Sequence, residues 1–121
     1  MLRRMLPILL VTLCATALAA EPQVIEVKLE SYAIKPDTIT VKVGQPVTLK
    51  IRNEATFIPH NLVIKAPDAG IDVKLDLAAG KSGEVSFTPT KAGSYEMHCD
   101  KAPPIGKSHK EKGMHGTLVV E

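Results

Sequence analysis

The sequence has no tryptophan, two phenylalanines and two tyrosines, so aromatic residues make up 3% of its 121 positions. Its core is therefore small and aliphatic. It has two cysteines, Cys14 and Cys99. Cys14 lies in an apolar leader, which leaves Cys99 with no internal partner for a disulfide. The longest apolar run, residues 6–19, is 14 residues, short of the roughly 20 that span a bilayer. No 3.6-residue period lasts beyond a turn or two, which excludes a helical bundle. There is no excess charge either. Without Arg3 and Arg4, thirteen Lys and Arg face thirteen Asp and Glu, so global basicity gives no argument for nucleic acid. Internal repeats, low-complexity tracts, an inter-domain linker and a nucleophile–base pair are all missing, as is a second metal cluster. The length suits one domain.

The leader has its own pattern. Arg3 and Arg4 precede the apolar run, and Ala17-Leu18-Ala19 forms a small-x-small cleavage site. This predicts a secretory signal peptide over residues 1–19 and a mature domain over 20–121, periplasmic or otherwise exported. An uncut anchor is the weaker reading on length. A lipid-modified Cys14 is disfavoured by Leu13, where a small residue is expected. Exported proteins usually pair their cysteines. A lone Cys99 is then an intermolecular disulfide, a reactive thiol, an inert buried thiol or a metal ligand.

The mature chain reads as all-β. Residues 24–30 alternate, with Ile25, Val27 and Leu29 on one face. Alternation recurs over 38–43, 47–52 and 60–65, and again at Val85 and Phe87. A short strand fits 71–77, and 117–120 closes the domain. Residues 32–37 lead into a turn, and 79–83 read as a loop. Seven or eight short strands with regularly spaced turns predict a two-sheet sandwich. Tyr32, Phe57, Phe87 and Tyr95 are the only aromatics available to its core.

Residues 95–116 hold the chemistry. Nine residues separate Cys99 from His109, and four separate His109 from Met114. A thiolate, an imidazole and a thioether form a soft ligand set suited to copper. His60, at the start of a strand, supplies a second imidazole. Leu62 and Ile64 share its parity, and Tyr95 and Met97 share that of Cys99, so both donors point inward where those residues face the core. Met114 competes with His115 for an axial place, or it simply packs in the core. Met97 reads as core. His98 has the opposite parity and lies exposed or beside the site. Lys101, Lys107, Lys110 and Lys112 outnumber Asp100 and Glu111, a modest positive patch or a set of solvated lysines.

These residues carry a resemblance. Asn53, Phe57-Ile58-Pro59-His60-Asn61, Gly93-Ser94-Tyr95-Glu96-Met97-His98-Cys99, His109 with Met114, and Gly116-Thr117-Leu118-Val119-Val120 together resemble the cupredoxins, of the plastocyanin and azurin kind. The resemblance implies a Greek-key β-sandwich and one type 1 copper ion. It implies His60, Cys99 and His109 as equatorial ligands and Met114 as the axial one. It also implies that Asn61 bonds across to the segment just after Cys99, where Asp100 stands in place of the usual Ser or Thr. The nine-residue spacer departs from the shorter Cys–His loop of plastocyanin-like and azurin-like domains and is more similar to the type 1 site of copper nitrite reductases. The function this implies is single-electron transfer between redox partners that dock transiently near His109, with Ile105 and the lysines shaping the contact. The protein is then a monomer, not an enzyme, with no nucleic acid and no stable membrane insertion. Copper trafficking or storage on the same ligands is the alternative.

Overall fold

The structure is a computed structural model that describes residues 7–8, 10–12 and 21–121. Most of the expected signal segment 1–19, Cys14 included, lies outside the described residues. No helix among the described residues is long and apolar enough to cross a membrane.

Among the described residues nine strands follow in order: β1 (Gln23–Glu30), β2 (Ala33–Lys35), β3 (Thr38–Val41), β4 (Val47–Asn53), β5 (His60–Ala66), β6 (Ile71–Leu77), β7 (Ser82–Phe87), β8 (Gly93–His98) and β9 (His115–Val120). They form two sheets, β2-β1-β4-β7 and β3-β9-β8-β5-β6. β1 runs parallel to β4 and β3 parallel to β9, while the other pairings are antiparallel. This is the cupredoxin-like sandwich. The only helical piece among the described residues is a 3₁₀ turn, Pro67–Ala69.

Two segments account for the strand count exceeding seven or eight and for a shifted boundary. The stretch expected as a lead-in turn contains β2, paired with β1 around the two-residue turn Ser31-Tyr32. Pro36 ends it, having no N–H to donate, and the chain then crosses to the other sheet as β3. Residues 82 and 83, expected in a loop, open β7 opposite Arg52 and Ile51. Gly83 hides the strand signal because it has no side chain. A Cβ there would stand 3.0 Å from Leu75 Cδ2, so the glycine makes room for the core.

The alternation places Leu29, Leu49, Leu62, Ile64, Met97 and Leu118 inside, each at 0% exposure. Burying one such side chain contributes about 1.5–3 kcal/mol. The aromatics take little part. Phe57 is 89% exposed, which corrects its assignment to the core, and Tyr32, Phe87 and Tyr95 pack only against the core's margin. The end of β8, the start of β5 and the 99–114 loop meet at one pole of the sandwich.

Candidate metal centre

His60 opens β5, Cys99 follows β8 directly, and Met114 directly precedes β9. The sheet thus fixes three positions, and a loop must return the fourth. Its neck is closed by His109 N–H donating to Lys101 O at 2.9 Å. A turn then carries the chain to β9. Ser108 Oγ accepts from Glu111 N at 3.1 Å and also bonds Glu111 Oε1 at 3.1 Å. With Ser108 N–H donating back to Glu111 Oε1 at 3.4 Å, this is the capping-box pattern, here closing a hydrogen-bonded turn. Met114 N–H donates to His109 O at 3.0 Å, and Cys99 N–H to Met114 O at 3.1 Å. Backbone bonds therefore tie residues 99, 109 and 114 together.

The side chains converge. His60 Nδ1 lies 3.2 Å from His109 Nδ1, and Cys99 Sγ lies 3.6 Å from His109 Nδ1. All three donor atoms lie within 4.8 Å of one another. Nitrogens about 2.0–2.1 Å and a sulfur about 2.3 Å from a common ion would stand about 3.3 Å (N···N) and about 3.6 Å (N···S) apart at near-tetrahedral angles. The spacing fits one ion. The donors are shielded: His60 and Cys99 are 0% exposed and His109 is 7%. Met114 is buried, whereas His115 is exposed, so β9 turns the thioether and not the third imidazole inward. With a sulfur from Cys99, two imidazoles and the buried thioether of Met114, the donor set fits copper.

Burial, with His109 nearby, lowers the pKa of His60 to about 4. Burial also lowers that of His109, helped by Lys112 and Lys101. Both rings are neutral at pH 7, as ligands must be. Asn61 N–H donates to Cys99 Sγ at 3.4 Å, which fixes the direction in which the sulfur points.

Further bonds hold the donor-bearing segments. Asn61 Nδ2 donates to Asp100 Oδ1 at 2.6 Å and to Asp76 Oδ1 at 3.1 Å, while Asp100 N–H donates to Asn61 Oδ1 at 2.9 Å. Lys101 pairs with Asp76 and Lys74 with Asp100. The Asn61 bond holds the Asp100 carboxyl below its usual range, and the Lys101 bond does the same for Asp76. Asn53, fully buried, donates to Ile58 O and Leu77 O at 2.9 and 3.0 Å. It thereby fixes the loop that delivers His60.

Two contributors were not legible as such in the sequence. Tyr32 packs edge-on against His109 (centroids 5.2 Å) and His60 (6.2 Å). In sequence its turn is remote from the metal loop; its φ is +62, and Lys112 Nζ lies 4.3 Å over its ring. Asp76 entered the sequence reading only as part of a strand. Ser108 and Glu111 did carry a signal, the S-x-x-E spacing. The lysine patch is thinner than its count suggests, since Lys101 pairs with Asp76 and Lys110 with Glu96. Phe57 and Ile105, on the loops flanking the centre, are 89% and 91% exposed.

The family model described as "Cupredoxin-like domain" matches residues 3–120. Among solved structures, dithionite-reduced auracyanin from the photosynthetic bacterium Roseiflexus castenholzii is 25% identical, with TM-score 0.67, covering 84% of this chain and 98% of that one. Auracyanin A, a "blue" copper protein from the green thermophilic photosynthetic bacterium Chloroflexus aurantiacus, is 27% identical, with TM-score 0.65 and coverage of 84% and 100%. The periplasmic domain of cytochrome oxidase subunit II from Bradyrhizobium japonicum shares the fold at 16% identity, with TM-score 0.60 and coverage of 82% and 83%. No curated protein matches the sequence.

Proposed function

Since the chain belongs to the cupredoxin-like family, we propose that it is an exported protein holding one type 1 copper ion and carrying single electrons between redox partners. The observation that carries this reading is the convergence of His60 Nδ1, His109 Nδ1 and Cys99 Sγ within 4.8 Å. Bound there, copper supplies a one-electron Cu(II)/Cu(I) couple.

His60, Cys99 and His109 are the equatorial ligands in this reading, and Met114 is the axial one. Cys99 binds as the thiolate, steadied by Asn61 N–H. Two strand ends and a tied loop hold the donors in place, so little of the protein rearranges when the charge changes. Burial of all three donors leaves no face for a substrate, which supports a carrier over an enzyme. His109 is the least buried of the three, which makes its ring the exit toward a partner. Phe57 and Ile105 offer apolar contacts beside it, and Lys107 and Lys112 add positive charge. Such docking is small and short-lived, and the protein acts as a monomer. Export rests on the basic and apolar pattern of residues 3–19.

The test is an absorption and EPR spectrum of the copper-loaded protein. An intense thiolate-to-copper band, lost in Cys99→Ala, and a reversible one-electron couple are expected. A colourless protein refutes the type 1 assignment. Release of Cu(I) to an acceptor protein, without reversible cycling, would favour copper trafficking instead.

A further inference from the structure

The same strand ends that point Cys99 and Met114 inward point their neighbours outward. His98 and His115 are register partners across β8 and β9. The Cys99 N–H to Met114 O bond brackets this pair, which makes it a non-hydrogen-bonded pair, the closer of the two antiparallel kinds. Side chains at such positions have Cβ atoms about 4.5–5.5 Å apart. Glu96, two residues back on β8, shares their face. Its Oε1 lies 3.3 Å from His98 Nδ1. That nitrogen is shielded from solvent and makes no hydrogen bond. Lys110 pairs with Glu96 and supplies its nearest positive charge. Across the same face Thr117 lies opposite Glu96 and Val63 opposite His98, with the charged Lys74 beyond Val63 on β6.

We infer that His98, His115 and Glu96 form a second metal site, on the outer face of the five-stranded sheet, that takes a divalent transition-metal ion. Two imidazoles and one carboxylate are borderline donors, which rank Cu(II) above Zn(II) and reject Ca(II) and Mg(II). The rings are not drawn together as the buried donors are. Side-chain rotation assembles the site, and Lys110 must release Glu96, so binding is weaker than at the buried centre. Each histidine adjoins a residue of that centre in sequence, His98 next to Cys99 and His115 next to Met114. An ion here therefore lies across the sheet from the buried donors, one peptide unit from the thiol. The sequence hides this cluster because only strand register brings residues 98 and 115 together.

The experiment titrates Zn(II) into the copper-loaded, reduced protein while NMR follows the histidine ring signals. The rings of His98 and His115 are expected to shift saturably, with His60 and His109 unmoved. Calorimetry is expected to show a second equivalent that disappears in His98→Gln and in His115→Gln, weakens in Glu96→Gln and tightens in Lys110→Ala. The second equivalent persists in Cys99→Ala, where the buried centre is disabled, so the two sites are judged separately. Unmoved signals from His98 and His115, or a second equivalent indifferent to both glutamine variants, overturn the inference.

Discussion

His60 and His109 face each other nitrogen to nitrogen, Nδ1 to Nδ1 at 3.2 Å, in a site closed to solvent. Protonating either ring puts a charge where burial and the other ring oppose it. His60 has an ordinary pKa of 6.5 and a folded value of about 4. Above pH 6.5 the ring is neutral whether the chain is folded or not, and stability does not depend on it. Between 6.5 and 4 the unfolded chain binds a proton that the folded chain refuses, so unfolding is favoured as pH falls. His109 acts in the same direction. Urea titrations of the metal-free protein should show stability falling steadily from about pH 6.5 to about pH 4. Asp76 and Asp100, held below their usual range, extend the loss to lower pH. A flat profile between pH 6.5 and 4.5 would mean that the two rings are not buried as described.

Asn61 joins β5 to both β6 and the segment after Cys99. Asn61→Ala removes three side-chain bonds and leaves Asp76 and Asp100 on one face without their shared donor. A loss of about 2–3 kcal/mol is expected, together with weaker copper retention, because the 99–101 segment loses its anchor. Chemical denaturation with and without copper measures both. Unchanged stability would show that the lysine pairs hold this segment alone.

Tyr32 occupies the second position of a two-residue turn at φ +62, a conformation that costs a non-glycine residue about 1–2 kcal/mol. Two replacements separate backbone from ring. Tyr32→Gly relieves the strain and Tyr32→Ala keeps it, while both lose the contact with the imidazoles. The glycine variant should be the more stable of the two by about 1 kcal/mol. In both, the EPR parameters of the copper-loaded protein should move, because His109 loses the ring that packs against it. Tyr32→Phe should leave stability and spectrum close to the parent.

Gly116 lies where β9 passes the backbone of Asp37. A Cβ added there would collide with the Asp37 carbonyl, the acceptor for Thr117 N–H at 2.7 Å. Backbone cannot step aside as a side chain can. Gly116→Ala should cost about 2–4 kcal/mol, read as a fall in thermal midpoint, with the β3–β9 amides losing hydrogen-exchange protection first.

Much of this was legible in one dimension. Alternation located the interior face of β1, β4 and β5, and parity placed His60 beside Leu62 and Cys99 beside Met97. Where a signal depended on side chains that a strand need not have, it failed. Gly83 carries none, and the three-residue β2 is too short to alternate. Phe57 looked like core because it is large and apolar, but it stands on a loop tip that no element covers. The inward aim of Met114 against His115 was open in the sequence, since both are donors. The register of β9 with β8 separates them. Tyr32 was the least foreseeable, because its place depends on how two sheets fold over one another.

The hydrogen bond from His109 to Lys101 gives the long spacer a particular character. Residues 102–107 leave and re-enter the domain at a single tied point, and among the described residues no backbone hydrogen bond ties them to the strands below. Such an excursion is a cassette: it can be lengthened, trimmed or rewritten while the cradle below stays as it was. Ile105 and Lys107 ride on that cassette, so the surface it presents can diverge between descendants of this chain without moving the donors beneath.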